Sequence, residues 1–345
     1  MGGAERFFIR LIRGLAAMGH KTEAAVRAGY EVCEHIPENV AKYELPMRSV
    51  WDPLSKFELM LLVKKQRPQI VQTYMGRATR LTHLKPGKVP VHVARLGGYY
   101  KLKNFAHAHA WIGNTRGICD YMLRAGFSAN RVFHISNFIE LPKPVSNERL
   151  QRLRQGLSIP DDAWILLTAG RFVEVKGHFE LLKAFSLTPQ TIADRPLYLI
   201  MLGSGPLEQK LKRHAEQLGI EKRILWTGWQ IDPEPYFQLA DLIVFTSRQR
   251  ETLGNVILEA WSSKRPVLAT KFQGAVEICE HGIDAWLAEC EKPKSIAYGI
   301  EQVLKDQGLR LQMARTGHKK ILNEFSKEKI LKEYIEIYTL LLQNI

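Results

Sequence analysis

No apolar run in this 345-residue sequence approaches the roughly 18 residues that a bilayer-spanning helix needs. The first residues show no signal-peptide pattern. Met1-Gly2 fails as a myristoylation motif because residue 6 is Arg6, where Ser or Thr is required. Cysteine is sparse: Cys33, Cys119, Cys279 and Cys290 lie far apart with no C-x-x-C, which argues for reduced thiols and against a zinc site. Asp-x-Asp occurs nowhere, so a metal held by a close acidic pair is unsupported. Zinc-finger, RRM and basic-aromatic ribbon patterns are absent, as are repeats and low-complexity segments. These absences predict a cytoplasmic protein that requires no metal and binds no nucleic acid.

What is present is ordinary globular composition, 46% hydrophobic and 24% charged. The length favours two domains with a core each. A net charge of +14 asks for an anionic partner, either a substrate or a membrane surface. Arg149, Arg152 and Arg154, and Lys319-Lys320, read equally well as solvated helix faces.

Strand and helix patterns alternate along the chain, which means parallel sheets. In the first half, residues 22–27, 70–74, 89–93, 110–112 and 131–138 read as strands, and 31–50 as irregular, broken by Pro37 and Pro46. Leu54 to Lys65 has helical spacing through Phe57, Leu61 and Leu62. Glu140 to Asn147, with Pro142 and Pro144, is the best linker. In the second half, 164–168, 197–202, 224–228, 242–245 and 266–270 read as buried strands, with Pro206 opening a helix.

The most informative stretch is Glu251-Thr-Leu-Gly-Asn-Val-Ile-Leu-Glu259. The run Leu242-Ile-Val-Phe245 reads as a buried parallel strand because it does not alternate. A polar loop follows, and helical spacing begins at Val256. Glu251 thus sits in a loop at a strand's carboxyl end, and Glu259 about one turn inside the next helix. The amides of Gly254, Asn255 and Val256 are expected to be unpaired first-turn donors, a seat for phosphate. Glu259 is placed to accept hydrogen bonds from a vicinal diol, as acidic residues do for ribose. Glu251 is placed to meet sugar hydroxyls or positive charge developing at an anomeric carbon.

With its flanks, Thr246-Ser-Arg248 before and Pro266-Val-Leu-Ala-Thr270 after, this stretch resembles the E-x7-E signature of retaining glycosyltransferases of family 4. The resemblance implies an α/β GT-B fold: two Rossmann-like domains facing across a cleft, residues 1–143 binding the acceptor and 144–325 the nucleotide sugar. A last helix, 326–345, would cross back to the first domain. The resemblance also implies that Arg171 and Lys176 hold the donor diphosphate, two cations stabilising the charge that builds on the leaving group. Glu251 would orient the donor sugar and Glu259 the ribose, with Gly170, Thr252, Leu253, Gly254, Asn255 and Val256 completing the donor site.

Gly2-Gly3-Ala-Glu-Arg6 resembles the family's glycine loop near the donor phosphates, where only a residue without Cβ permits close approach. In the family a β-strand precedes that loop. Here its pattern is missing, so the strand's two neighbours are expected to face a gap. Many relatives carry a His after the strand ending near Arg95; here Leu96-Gly97 stands instead. His92 reads as a core residue, and His107 and His109 as loop residues. Arg95 is left as a candidate substrate contact.

The implied activity is transfer of a sugar from a UDP- or GDP-linked donor, with retention, to a glycan or lipid-linked acceptor. The wording around Glu251 is similar to that of bacterial lipopolysaccharide and envelope glycosyltransferases. A lipid-linked acceptor favours an anionic membrane surface as the partner for the basic charge, with peripheral attachment to the inner face of the cytoplasmic membrane. A nucleotide-sugar-binding protein with little transferase activity, and a GT-B epimerase or hydrolase, remain alternatives.

Overall fold

A computed structural model of the chain describes residues 2–344; Met1 and Ile345, the outer limits of the expected domains, lie outside them. The chain separates into two compact units. One runs to Phe138 and also takes the chain from Lys327 onward; the other spans Ile139–Ser326.

The first unit begins with α1 (Gly3–Ala17), followed by β1 (Glu23–Arg27), β2 (Ala41–Leu45), α2 (Pro53–Gln66), β3 (Ile70–Tyr74) and α3 (Met75–Leu81). Then come β4 (Val91–Leu96), β5 (Ala110–Gly113), α4 (Arg116–Arg124) and β6 (Val132–His134). Phe7, Leu11 and Leu15 recur at helical spacing on α1 and bury against Val91, Val93, Ala110 and Ile112 of the sheet. The chain's last helix, Lys327–Gln343, closes the same core with Leu331, Tyr334 and Leu341.

The parallel strands of this unit form two sheets, β1-β2 and β3-β4-β5-β6. A cavity of about 830 Å³ lies along β1 and β3, touching every residue from Thr22 to Arg27 and from Gln69 to Tyr74. Alternate residues of a strand face opposite ways, so a cavity touching each in turn runs along the strands' edges. The edges of β1 and β3 line this cavity and belong to different sheets.

The first unit departs from the sequence-based expectation in two segments. Residues 31–50 are not wholly irregular: they contain a 3-10 turn, Glu31–His35, and β2. The β2 segment was illegible because only Leu45 of its five residues is buried; its pairing with β1 makes it a strand. The strand expected over 131–138 shrinks to Val132–His134, because Ile135 and Phe138 enter the core from irregular backbone.

The second unit holds α5 (Asn147–Gly156), β7 (Trp164–Ala169), α6 (His178–Leu187), β8 (Thr191–Ile192), β9 (Arg195–Leu202), α7 (Glu208–Gln217), β10 (Ile224–Gly228) and α8 (Glu234–Leu239). Next are β11 (Leu242–Phe245), α9 (Asn255–Ser262), β12 (Val267–Thr270), α10 (Gln273–Ile278), β13 (Trp286–Ala288), α11 (Pro293–Lys305) and α12 (Gln307–Glu324); the last helix, named above, is α13. Pro206 does not open a helix, since α7 starts at Glu208.

The sheet order is β10-β9-β7-β11-β12-β13, parallel throughout, with the short β8 antiparallel on β9. Its strands are apolar without alternation because both faces are covered. Ile165 and Leu167 enter the core that contains α9, while Trp164 and Leu166 enter the one that contains α6. The first strand, β7, has β9 on one side and β11 on the other. The connections leave in opposite directions at that point, the switch point where open α/β sheets bind ligands at their carboxyl ends.

Candidate active site

The loops leaving β7 and β11 meet above the switch point. Beyond β7 the chain passes Gly170, Arg171 and a single 3-10 turn, Glu174–Lys176, before α6. Beyond β11 it passes Thr246 to Gly254 before α9. The two are stitched by backbone and hydroxyl bonds: Arg248 N–H donates to the Val175 carbonyl at 2.8 Å, and the Thr246 hydroxyl reaches the Gly177 carbonyl at 3.0 Å. Gly177 makes this approach possible. Its φ is +64°, and a Cβ there would stand 2.0 Å from the Thr246 carbonyl oxygen.

This stitching brings Lys176 and Glu251 together from opposite sides of the switch point. Lys176 Nζ lies 2.6 Å from Glu251 Oε2, with both side chains largely buried. The Ser247 hydroxyl donates to the same carboxylate oxygen at 3.3 Å, and the ammonium sits 4.9 Å from the centre of the Phe245 ring. Arg171 is exposed nearby in sequence.

Gly254 caps α9 in the left-handed conformation, φ +71°, with the rings of Phe245 and Phe272 within 3 Å of where a Cβ would be. A side chain would push the helix start away from the sheet. The first turn is less open than the sequence implied, because Asn255 already has a partner, as does Thr252 in the preceding loop. Leu253 and Val256 are buried. Glu259 is half-buried on α9. The Glu234 carboxyl is pushed up by burial and by Asp232, with a smaller contribution from the charge of Glu259.

The sequence reading missed Arg248. Its guanidinium bonds Glu180 Oε1 through Nη2 at 2.5 Å and Nε at 3.1 Å. It also lies 3.4 Å from a Glu174 oxygen and 3.6 Å from a Glu291 oxygen, and the Glu180 bond raises its pKa. Arg248 therefore anchors the Lys176 turn to α6 and to the loop carrying Glu251. Its place in the Thr246-Ser-Arg248 flank was a visible signal, but its acidic partners are distant in sequence. Behind the turn, burial holds His178 near pKa 4, with Nε2 facing the Arg171 carbonyl.

In the first unit, Gly2 is the N-cap of α1 and Gly3 its first residue; the Gly2 amide donates to Glu5 Oε2 at 2.6 Å. Arg95 is 2% exposed. Its Nε donates to the Tyr334 hydroxyl at 2.7 Å, Nη2 donates to Asn137 Oδ1, and its charge lies 4.0 Å from the Phe7 ring centre. In this structure it ties β4 to α13 and α1. His92 is a core residue as expected: Nε2 meets the Thr73 hydroxyl while Nδ1 is buried without a partner. His107 and His109 do more than fill a loop. His107 Nε2 bridges the Thr79 and Thr82 carbonyls, and His109 accepts the His92 amide at Nδ1.

Residues 151–320 match the family model described as glycosyl transferases group 1. The lipopolysaccharide core biosynthesis glycosyltransferase LpsE of Rhizobium meliloti (strain 1021) is 32% identical over 342 residues, covering 97% of this chain and 95% of LpsE. LpsD of the same organism, also described as a lipopolysaccharide core biosynthesis glycosyltransferase, is 26% identical over 344 residues. The chain superposes on Anabaena Alr3699/HepE in complex with UDP-glucose with a TM-score of 0.85 and 19% identity, over 98% of this chain and 96% of that one; at that identity the match speaks for the fold. With likeness to LpsE along nearly its whole length and parallel α/β sheets in each of its two units, this chain belongs to the glycosyl transferases of group 1 and is a glycosyltransferase.

Proposed function

We propose that the protein moves a sugar from a UDP- or GDP-linked donor to a glycan or lipid-linked acceptor, with retention at the anomeric carbon, in lipopolysaccharide or other envelope polysaccharide synthesis. The observation that carries this reading is the Lys176–Glu251 pair at the switch point, 2.6 Å apart. It sets a fixed cation and a carboxylate side by side where an open α/β sheet binds its ligand. The full-length likeness to LpsE supports the envelope setting, and the bound ligand of the HepE structure supports a nucleotide sugar.

In the net reaction the bond between the anomeric carbon and the diphosphate oxygen breaks, and a bond to an acceptor oxygen forms with the anomeric configuration retained. The acceptor loses its proton and the nucleoside diphosphate leaves as an anion. Lys176 and Arg171, with the start of α9, take up the charge that grows on the diphosphate, an electrostatic role that needs no metal ion. A diphosphate within reach of Lys176 competes with Glu251 for the ammonium and so frees the carboxylate. Glu251 then orients the donor sugar, and Glu259 receives the ribose hydroxyls. Gly170, Thr252, Leu253, Gly254, Asn255 and Val256 form the walls of the donor site. The basic charge of the chain suits an anionic membrane surface where a lipid-linked acceptor would be met.

Thermal unfolding against a panel of UDP, GDP and their sugars tests the site. A nucleotide at a hundred times its Kd should stabilise the protein by about 2.7 kcal/mol. One nucleotide class should raise the midpoint of the native protein and not of Glu259→Ala. No shift with any of them overturns the donor assignment.

A further inference from the structure

Helix α2 turns an apolar face to solvent. At about 100° per residue, Leu54, Phe57, Met60 and Leu61 share one side of it. They are 43%, 60%, 54% and 50% exposed, and Trp51, just before the helix, is 71% exposed. The opposite side is the one that packs, through Ser55 and Leu59. An isolated exposed leucine needs no explanation, but a contiguous stripe with two aromatic side chains does.

The same helical spacing places Lys56 at one border of the stripe and Lys65 at the other, while Lys64 lies on the stripe itself and ends it at the final turn; all three are exposed. Arg48 and Arg67 are exposed at the two ends of this segment. The only acids between them are Asp52, which is buried and bonded to the Arg48 amide and the Ser55 hydroxyl, and Glu58, which is half-buried. The Trp51 ring is held by Arg80, whose guanidinium carbon lies 4.4 Å from its centre. An apolar strip bordered by lysines, with a tryptophan at its end, is the pattern of a helix lying in the plane of a bilayer interface. The side chains of the strip enter the acyl boundary, and the lysine stems reach back to headgroup phosphates.

We propose that this face of α2, together with Trp51, is a membrane-docking surface and that its occupant is an anionic phospholipid bilayer. Charge complementarity favours lipid over a second copy of the chain, since two such faces would bring Lys56, Lys64 and Lys65 against their own kind. The net charge of +14 adds long-range attraction of the same sign. The proposal deepens the membrane part of the function above and depends on no step of the transfer chemistry.

The test is co-sedimentation of the full chain with vesicles of phosphatidylcholine alone and of phosphatidylcholine with phosphatidylglycerol, across a salt series. The native protein should bind the anionic vesicles and release as salt rises. Phe57→Ser/Leu61→Ser should lower partitioning at least tenfold with an unchanged thermal midpoint, and Lys56→Gln/Lys65→Gln should weaken binding mainly at low salt. Failure of the native protein to bind overturns the proposal, as does equal binding by the Phe57/Leu61 variant. Concentration-dependent self-association that the same variant abolishes, without vesicle binding, assigns the face to a second copy instead. Donor turnover measured with a soluble acceptor is a separate readout, so loss of one reading does not take the other with it.

Discussion

Lys176 and Glu251 are 75 residues apart in sequence and 2.6 Å apart in space, so each substitution at this pair leaves the other charge without its partner. Lys176→Ala should weaken nucleotide binding about 10- to 100-fold, the worth of one charge-assisted hydrogen bond of roughly 1.5–3 kcal/mol. Titration calorimetry with the nucleotide identified by thermal shift measures this directly. Glu251→Gln should leave nucleotide affinity within a few fold and lower kcat by about 100-fold or more, because it acts at the sugar and not at the diphosphate. Equal losses in both quantities would move Glu251 from the sugar to the phosphates. Arg248 is a positioning residue: Arg248→Ala should lower kcat/KM while Arg248→Lys recovers only part of it, since a lysine cannot repeat the two-nitrogen grip on Glu180.

At the scale of the element, the site depends on where one turn ends. The Glu174–Lys176 turn stops at Gly177, whose left-handed backbone and contact with the Thr246 carbonyl admit no side chain. Gly177→Ala should cost about 2 kcal/mol or more of stability in the second unit through strain and displacement. It should also separate Lys176 from Glu251 and reduce nucleotide binding. Urea unfolding beside calorimetry reads both, and a stable variant with native affinity would show that the turn has slack. The stretch 251–259 was legible because strand, loop and helix follow one another locally. The clamp at Arg248 was not, because it closes on residues from α6 and from beyond β13.

The whole molecule should be acid-sensitive. Burial in the first unit holds His92 down to about pKa 3, and burial in the second holds His178 near 4, both below the ordinary value of about 6.5. A folded pKa below the unfolded one means that the unfolded chain binds more protons between the two values. Stability is therefore fully present above about pH 6.5 and falls as the pH drops toward 4 and 3. Between pH 6.5 and 5, each histidine should cost its own unit about 2 kcal/mol. Urea unfolding at pH 7 and pH 5 should show that loss, and His92→Gln should flatten it for the first unit. A profile independent of pH would mean that these imidazoles titrate normally.

The pattern of apolar runs determined by itself that the chain would be α/β with parallel sheets. The E-x7-E spacing likewise placed one carboxylate in a loop and another inside a helix, because both are consequences of neighbours within a turn or a strand. The β2 strand, the buried tie of Arg95 to Tyr334 and Asn137, the His92–His109 bond and the seat of His107 on the Thr79 and Thr82 carbonyls were decided only by tertiary structure. Their partners lie far along the chain, and their residue types are equally at home on a surface. The exposed stripe of α2 belongs to the same class. Phe57, Leu61 and Leu62 marked a helix in the sequence, and the natural expectation for such residues is burial. Only the packed fold shows that Leu62 turns partly inward while Phe57 and Leu61 are left facing out, since which side of a helix meets the core depends on where the sheet lies beneath it.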